Sequence, residues 1–106
     1  MLRRLIALAV LIPVAAQANS LASMQVATEL SVVIASETVC DFKVDSAKAQ
    51  AFIERKVPVD DLGFAPMLNL MIEGNRHEIS SKSGVELDTH CFQTRRAAEA
   101  NDLLAD

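Results

Sequence analysis

Beyond residue 20, apolar residues recur at intervals of three, four and seven, the spacing that lines one face of a helix. Ala22, Val26, Leu30, Val33 and Ile34 follow it between Leu21 and Thr38. Ser31-Val32-Val33-Ile34, taken alone, is β-branched enough to suit a strand. The helical pattern around it is too long for a strand, so the spacing predicts one helix ending near Asp41. Val26, Val33 and Cys40 stand seven apart, which puts the cysteine on the apolar side of a helix that reaches it.

A second helix is predicted from Asp45 or Ser46, either of which suits an N-cap, with Ala49, Phe52, Ile53 and Val57 as its apolar stripe. Pro58 ends it, because proline disfavours helical backbone at the residue before it. Asp60 is the expected N-cap of a third helix, with Val59 and Phe64 as a hydrophobic staple. Phe64, Met67, Leu68, Met71 and Ile72 then give the cleanest helical period in the chain. Pro66 falls in that stretch, so the regular helix either begins near Gly63 or has a kinked first turn. Gly74-Asn75 is expected to end or weaken the helix, with room for it to resume through Arg76 to Ile79. Ser83-Gly84-Val85-Glu86 fits a capping box for a fourth helix from Val85 to Leu103, with Leu87, Cys91, Thr94 and Ala98 on one face.

The first residues change the picture of where this domain works. Arg3 and Arg4 precede a short apolar stretch from Leu5 to Val14, and Ala16-Gln17-Ala18 follows as an A-x-A cleavage site. A membrane anchor is the rival reading, but a spanning helix needs about 20 apolar residues and this stretch is shorter. The expectation is a signal peptide over residues 1–18 and a single helical domain over residues 19–106, exported and periplasmic, with no stable membrane span after cleavage.

Export makes the two cysteines a candidate disulfide, Cys40 with Cys91, since both are predicted to face inward on the first and last helices. The bridge would close a loop of about 52 residues and, by the chain-entropy argument, stabilise the fold by roughly 4 kcal/mol. That matters in a domain of 88 residues, near the size where a core alone is marginal. The fold class expected is therefore all-α: a small bundle of about four helices tied by one disulfide and preceded by a signal peptide.

The whole chain has a formal charge of −4; without Arg3 and Arg4 it is −6, from eight basic and fourteen acidic residues. An acidic surface argues against nucleic acid and against anionic membrane as partners. Little in the sequence supports enzyme chemistry. His77 and His90 lack the spacing of a zinc site, and His90 beside Cys91 points about 100° away from it on a helix. There is no C-x-x-C and no Gly-rich phosphate loop. Asp60-Asp61 and Glu86/Asp88 read as solvated carboxylates at helix starts, and Arg95-Arg96 as side chains near a helix end. No cofactor, metal or catalytic residue is expected. Phe64, Met67 and Met71 are the candidate partner-binding residues, because methionine-rich surfaces adapt to varied partners; the same stripe would equally serve as core.

Several short pieces, Cys40-Asp41-Phe42-Lys43-Val44-Asp45, Val57-Pro58, Gly63-Phe64-Ala65, Leu68-Asn69 and His90-Cys91, resemble those of short, uncharacterised exported proteins of proteobacteria. Some of those bear the label "signal recognition particle", for which this chain has neither a GTPase motif nor a basic RNA-binding face. Cys40-Asp41-Phe42, Gly63-Phe64-Ala65 and Leu68-Asn69 are also similar to parts of the HdeA-type periplasmic acid-stress chaperones. That resemblance implies a small helical fold bridged by one disulfide and carries no functional residue across. The function expected is a non-enzymatic protein-binding or stress-related module, with an accessory or structural subunit of an envelope complex as the alternative; other envelope proteins are the expected partners.

One expectation is testable directly. N-terminal sequencing of the exported protein should read Asn-Ser-Leu from Asn19; a membrane-bound form that keeps Arg3 and Arg4 would show that the leader is an anchor.

Overall fold

A computed structural model describes residues 14–106, with side chains from residue 21 onward. The signal peptide assigned to residues 1–18 lies outside the described side chains, and Arg3 and Arg4 outside the described residues altogether. The fold is an all-α bundle of four helices: α1 (Val14–Cys40), α2 (Ser46–Lys56), α3 (Phe64–Ser80) and α4 (Gly84–Ala100). Helix α1 is the hub, and each of the other three packs against it. Among the described residues no helix is long and apolar enough to cross a membrane.

The packing explains why α1 carries so few charges along its length. Val26, Ala27, Leu30 and Val33 are buried, and so are Ser23, Ser31, Ala35 and Ser36. Ser23, Ala27, Ser31 and Ala35 recur every four residues and form a ridge of small side chains. The Asn75 side-chain amide of α3 donates to Ser31 Oγ at 2.9 Å, which places this ridge toward α3. Phe64, Leu68, Ile72 and Ile79 are the buried face of α3. Gly74 and Asn75 do not interrupt that helix: Ile72 and Ile79 hold it in the core on either side, and Asn75 is anchored to α1. Pro66 sits in the first turn of α3, where its missing N–H has no intrahelical acceptor to lose.

Helix α2 begins as expected. The Asp45 carboxylate accepts from the Lys48 backbone N–H at 2.9 Å, and the helix stops at Val57 before Pro58. Two other start signals are corrected. The Ser83 hydroxyl makes no capping hydrogen bond, because Gly84 has φ +57° and turns the first residue of α4 away from helical backbone. Glu86 instead accepts from Lys82 Nζ at 3.0 Å. The staple between Val59 and Phe64 does not form either: Gly63 is the N-cap of α3, and Val59 stands out in solvent.

Helices α1 and α4 end alike. Asp41 and Asp102 both adopt left-handed backbone, with φ of 54° and 52°. After each, the next N–H reaches back six residues' span: Phe42 N–H to the Glu37 carbonyl at 3.1 Å, and Leu103 N–H to the Ala98 carbonyl at 2.9 Å. This is the Schellman arrangement, which turns an apolar residue inward just after the helix. Leu103 is 1% exposed. The two released segments then meet. Val44 and Leu104 form an isolated antiparallel bridge, with Asp45 N–H donating to the Leu103 carbonyl at 2.8 Å and Ala105 N–H to the Lys43 carbonyl at 3.0 Å. The fourth helix therefore ends at Ala100 rather than at Leu103, and Leu103 belongs to a tail that closes over the start of α2.

The Cys40 and Cys91 sulfurs lie at disulfide distance, their Cα atoms 5.1 Å apart. Arg95 reinforces the same junction by donating to the Asp41 carbonyl at 2.9 Å, with its guanidinium 5.7 Å from the Phe42 ring centre. A cation at that place also complements the negative end of α1.

Because the tail is core, Leu103→Ala should lower the free energy of urea unfolding by about 2–5 kcal/mol, the range for an interior leucine. A change within about 0.5 kcal/mol, the range for surface positions, would show that the tail contributes nothing to the core.

Candidate functional site

The residues predicted for partner binding turn mostly inward. Phe64 is 5% exposed and belongs to the core, while Met67 and Met71 are half-buried and pack against it. Their helix, α3, packs against α1. Cys40 and Cys91 have already paired, so neither sulfur is available as a nucleophile or ligand.

An apolar surface left open lies one turn earlier, between α2 and the start of α3. Pro58 stops α2, and the chain then folds tightly on itself. Asp61 N–H donates to the Pro58 carbonyl at 3.1 Å, Leu62 N–H to the Asp60 carbonyl at 3.0 Å, and Phe64 N–H to the Asp61 carbonyl at 3.3 Å. That turn projects Val59 and Leu62 outward, 99% and 85% exposed. Below them is a groove of about 480 Å³ with Ile53, Val57, Pro58 and Phe64 in its walls. Full burial of an aliphatic side chain of this size is worth about 1.5–3 kcal/mol, so the turn offers substantial binding energy that folding does not use.

Helical periodicity could not find this site, because Val59 and Leu62 lie between helices. The signal was present in another form. Pro58 and Gly63 bracket a short connection in which the two apolar residues are separated by Asp60-Asp61, and a loop has nowhere to bury them.

A second cavity, of about 330 Å³, opens between α1 and α4 with Glu29, Val32, Val33, His90, Thr94 and Leu103 among its walls. His90 Nε2 is 2.9 Å from Ser36 Oγ and 3.5 Å from Thr94 Oγ1. The Ser36 hydroxyl also donates to the Val32 carbonyl at 2.6 Å, so it is shared between its own helix and His90. Ser36 is also fully buried. This contact joins α4 to α1. Burial holds the His90 pKa below the ordinary imidazole range, and the Lys82 ammonium pushes the same way while the Glu78 carboxylate opposes both. His77 is exposed on α3, and among the described residues no cluster of three His, Cys, Asp or Glu is placed to hold a metal ion.

No family model, curated protein or solved structure matches this chain.

The His90 contact sets a pH dependence. Since the folded protein disfavours the imidazolium, the unfolded chain takes up this proton first, and stability is full above about pH 6.5 and falls as pH drops toward the folded-state value. His90→Gln keeps a donor for Ser36 and removes the titration. Urea midpoints at pH 7.5 and pH 5 should therefore lie closer together in the variant; an equal loss in both proteins would assign the acid sensitivity to other groups.

Proposed function

We propose that this chain is an exported, non-enzymatic protein-binding module that works in the bacterial envelope. The observation that carries the reading is the groove between α2 and α3, with Val59 and Leu62 standing over it fully in solvent. Aliphatic side chains so placed add nothing to the core and suit a surface that is covered by another protein.

Export is supported by Arg3, Arg4, the apolar stretch and the Ala16-Gln17-Ala18 triplet, and by a cysteine pair at disulfide distance, which persists in oxidising compartments. The periplasm is the location that fits both. A role under acid stress draws on the charge balance. With carboxylates protonated and both histidines charged, the residues from Asn19 onward move from −6 to +10, and self-repulsion loosens small bundles in that state. The Cys40–Cys91 link and the tail would limit the opening.

A second reading, an accessory subunit of an envelope complex, is favoured by Val85 and Phe92, which are exposed seven residues apart on one side of α4. The two readings differ in which surface a partner needs.

The test is a double variant, Val59→Ser with Leu62→Ser. Both positions are exposed, so its unfolding free energy should stay within about 0.5 kcal/mol of the parent. Suppression of aggregation of an unfolded client protein, measured at pH 2–3 and at pH 7, should fall in the variant. Suppression that is equal in parent and variant, or absent from both, would overturn the groove as the binding surface; loss on replacing Val85 and Phe92 instead would favour the subunit reading.

A further inference from the structure

The walls of the groove are asymmetric in charge, and this points to the chemistry of what it holds. Glu54 on α2 and Asp61 on the turn both line the groove along with its apolar residues. No Lys, Arg or His lines the groove, and among the described residues neither carboxylate makes an ion pair. The cations nearest in sequence are engaged or lie elsewhere. Lys56 Nζ sits 5.1 Å from the Phe52 ring centre and lines a separate cavity with Ala22, Gln25, Val26 and Glu29. Arg55 is exposed and is not among the lining residues.

Resting on the protein-binding reading above, we propose that the occupant is a short apolar segment of another protein flanked by lysine or arginine, its side chains lying over Ile53, Val57, Val59, Leu62 and Phe64 and its cations meeting Glu54 and Asp61. The α2 wall from Gln50 to Val57 is about 10 Å long, which suits two turns of helix or three to four extended residues. An apolar floor supplies affinity without direction, whereas two lining carboxylates with no lining cation select cationic flanks and reject acidic ones. Exposed carboxylates also make the selection sensitive to salt.

Three fluorescent ten-residue peptides test this with the full chain: a leucine/alanine centre with two lysines at each end, the same centre with glutamates at each end, and a serine/glycine centre with lysines. Fluorescence anisotropy at low salt should show the first binding about tenfold or more tightly than either of the others. The preference over the glutamate peptide should shrink toward unity near 0.5 M NaCl, where charges are screened beyond about 4–5 Å. Glu54→Gln with Asp61→Asn should remove the same preference while leaving binding of the apolar centre. Val59→Ser with Leu62→Ser should weaken the lysine-flanked peptide about tenfold, through lost apolar contact. Equal binding of the lysine- and glutamate-flanked peptides, lost in the Val59/Leu62 variant, would overturn the cationic occupant and leave the groove as a protein-binding surface. Binding of neither apolar peptide would overturn both readings. A concentration-dependent dimer that the Val59/Leu62 variant abolishes, without peptide binding, would give the groove to a second copy of the chain.

Discussion

From Leu30 to Glu37 helix α1 has no exposed residue, and the rest of the bundle is arranged to make that possible. A helix apolar around its whole circumference must be covered on every side. Three shorter helices do so here, and each of them packs on α1. The run Ser31-Val32-Val33-Ile34, which in isolation suits a strand, is tolerated as helix because its surroundings supply the burial that β-branched residues would otherwise find in a sheet. The buried serines decide how the covering helices sit. Ser31 donates to the Thr28 carbonyl and accepts from Asn75 of α3; Ser36 donates to the Val32 carbonyl and lies 2.9 Å from His90 Nε2 of α4. Each hydroxyl therefore satisfies its own helix and still selects one polar atom on a neighbour. Sliding either neighbour by one residue would strand a buried donor, at about 1–3 kcal/mol, which the apolar contacts alone would not penalise. Among the described residues Ser23 Oγ has no hydrogen-bond partner, and its small size suits the ridge.

Covering α1 does not by itself close the bundle, since a domain this small gains little from its core. Closure comes from the C-terminal end of α1. There the Cys40–Cys91 link, the Arg95 contact to the Asp41 carbonyl, and the pairing of residues 43–45 with 103–105 all act on one short stretch. Lys48 completes it, donating to the Leu104 carbonyl at 3.0 Å and lying 3.2 Å from Asp102 and 3.3 Å from Asp106. The Asp102 hydrogen bond is the largest reason that the Lys48 pKa is raised, although both carboxylates are open to water and the ion pairs are correspondingly weak. The first turn of α2 is thus held to both ends of the fold. The groove lies at the other end of α2, where turn hydrogen bonds shape the chain between Pro58 and Phe64.

The sequence was most legible where one residue controls backbone geometry without help. Pro58 ends α2, Asp45 caps it, and the Phe64-Leu68-Ile72 spacing turns a face of α3 to the core. The cysteine pairing followed from two helical faces and agrees with the Cα separation. The failures share a different cause. Ser83-x-x-Glu86 and Val59/Phe64 are patterns whose meaning depends on the backbone of an intervening residue. Gly84 adopts left-handed backbone and Gly63 takes over the cap, and neither choice is written in the motif itself. The end of α1 near Asp41 was read correctly, but the turn at Asp102 was not. Aspartate tolerates left-handed backbone better than most residues but less well than glycine, so a helix end at aspartate carries a weak signal. The tail was missed for that reason: without the turn at Asp102, Leu103 reads as one more position on α4.

The exposed groove follows from the same local choices. An Asp60 cap with a Val59–Phe64 staple would have buried Val59 and satisfied an orphan N–H of α3, a gain of about 1 kcal/mol from the cap alone. The chain instead starts α3 from Gly63, with no side-chain cap, and leaves Val59 and Leu62 in water. Local rules are commonly broken where another requirement is being met. Here the departure leaves two aliphatic side chains outside a core that is short of them, beside Glu54 and Asp61, which make no ion pair among the described residues. Asp61 precedes the first turn of α3, where a carboxylate complements the positive end of the helix, so stability explains its place but not those of Val59, Leu62 and Glu54. On the reading proposed above, a partner that brings both apolar surface and positive charge would give those three side chains on association what they lack in the isolated chain.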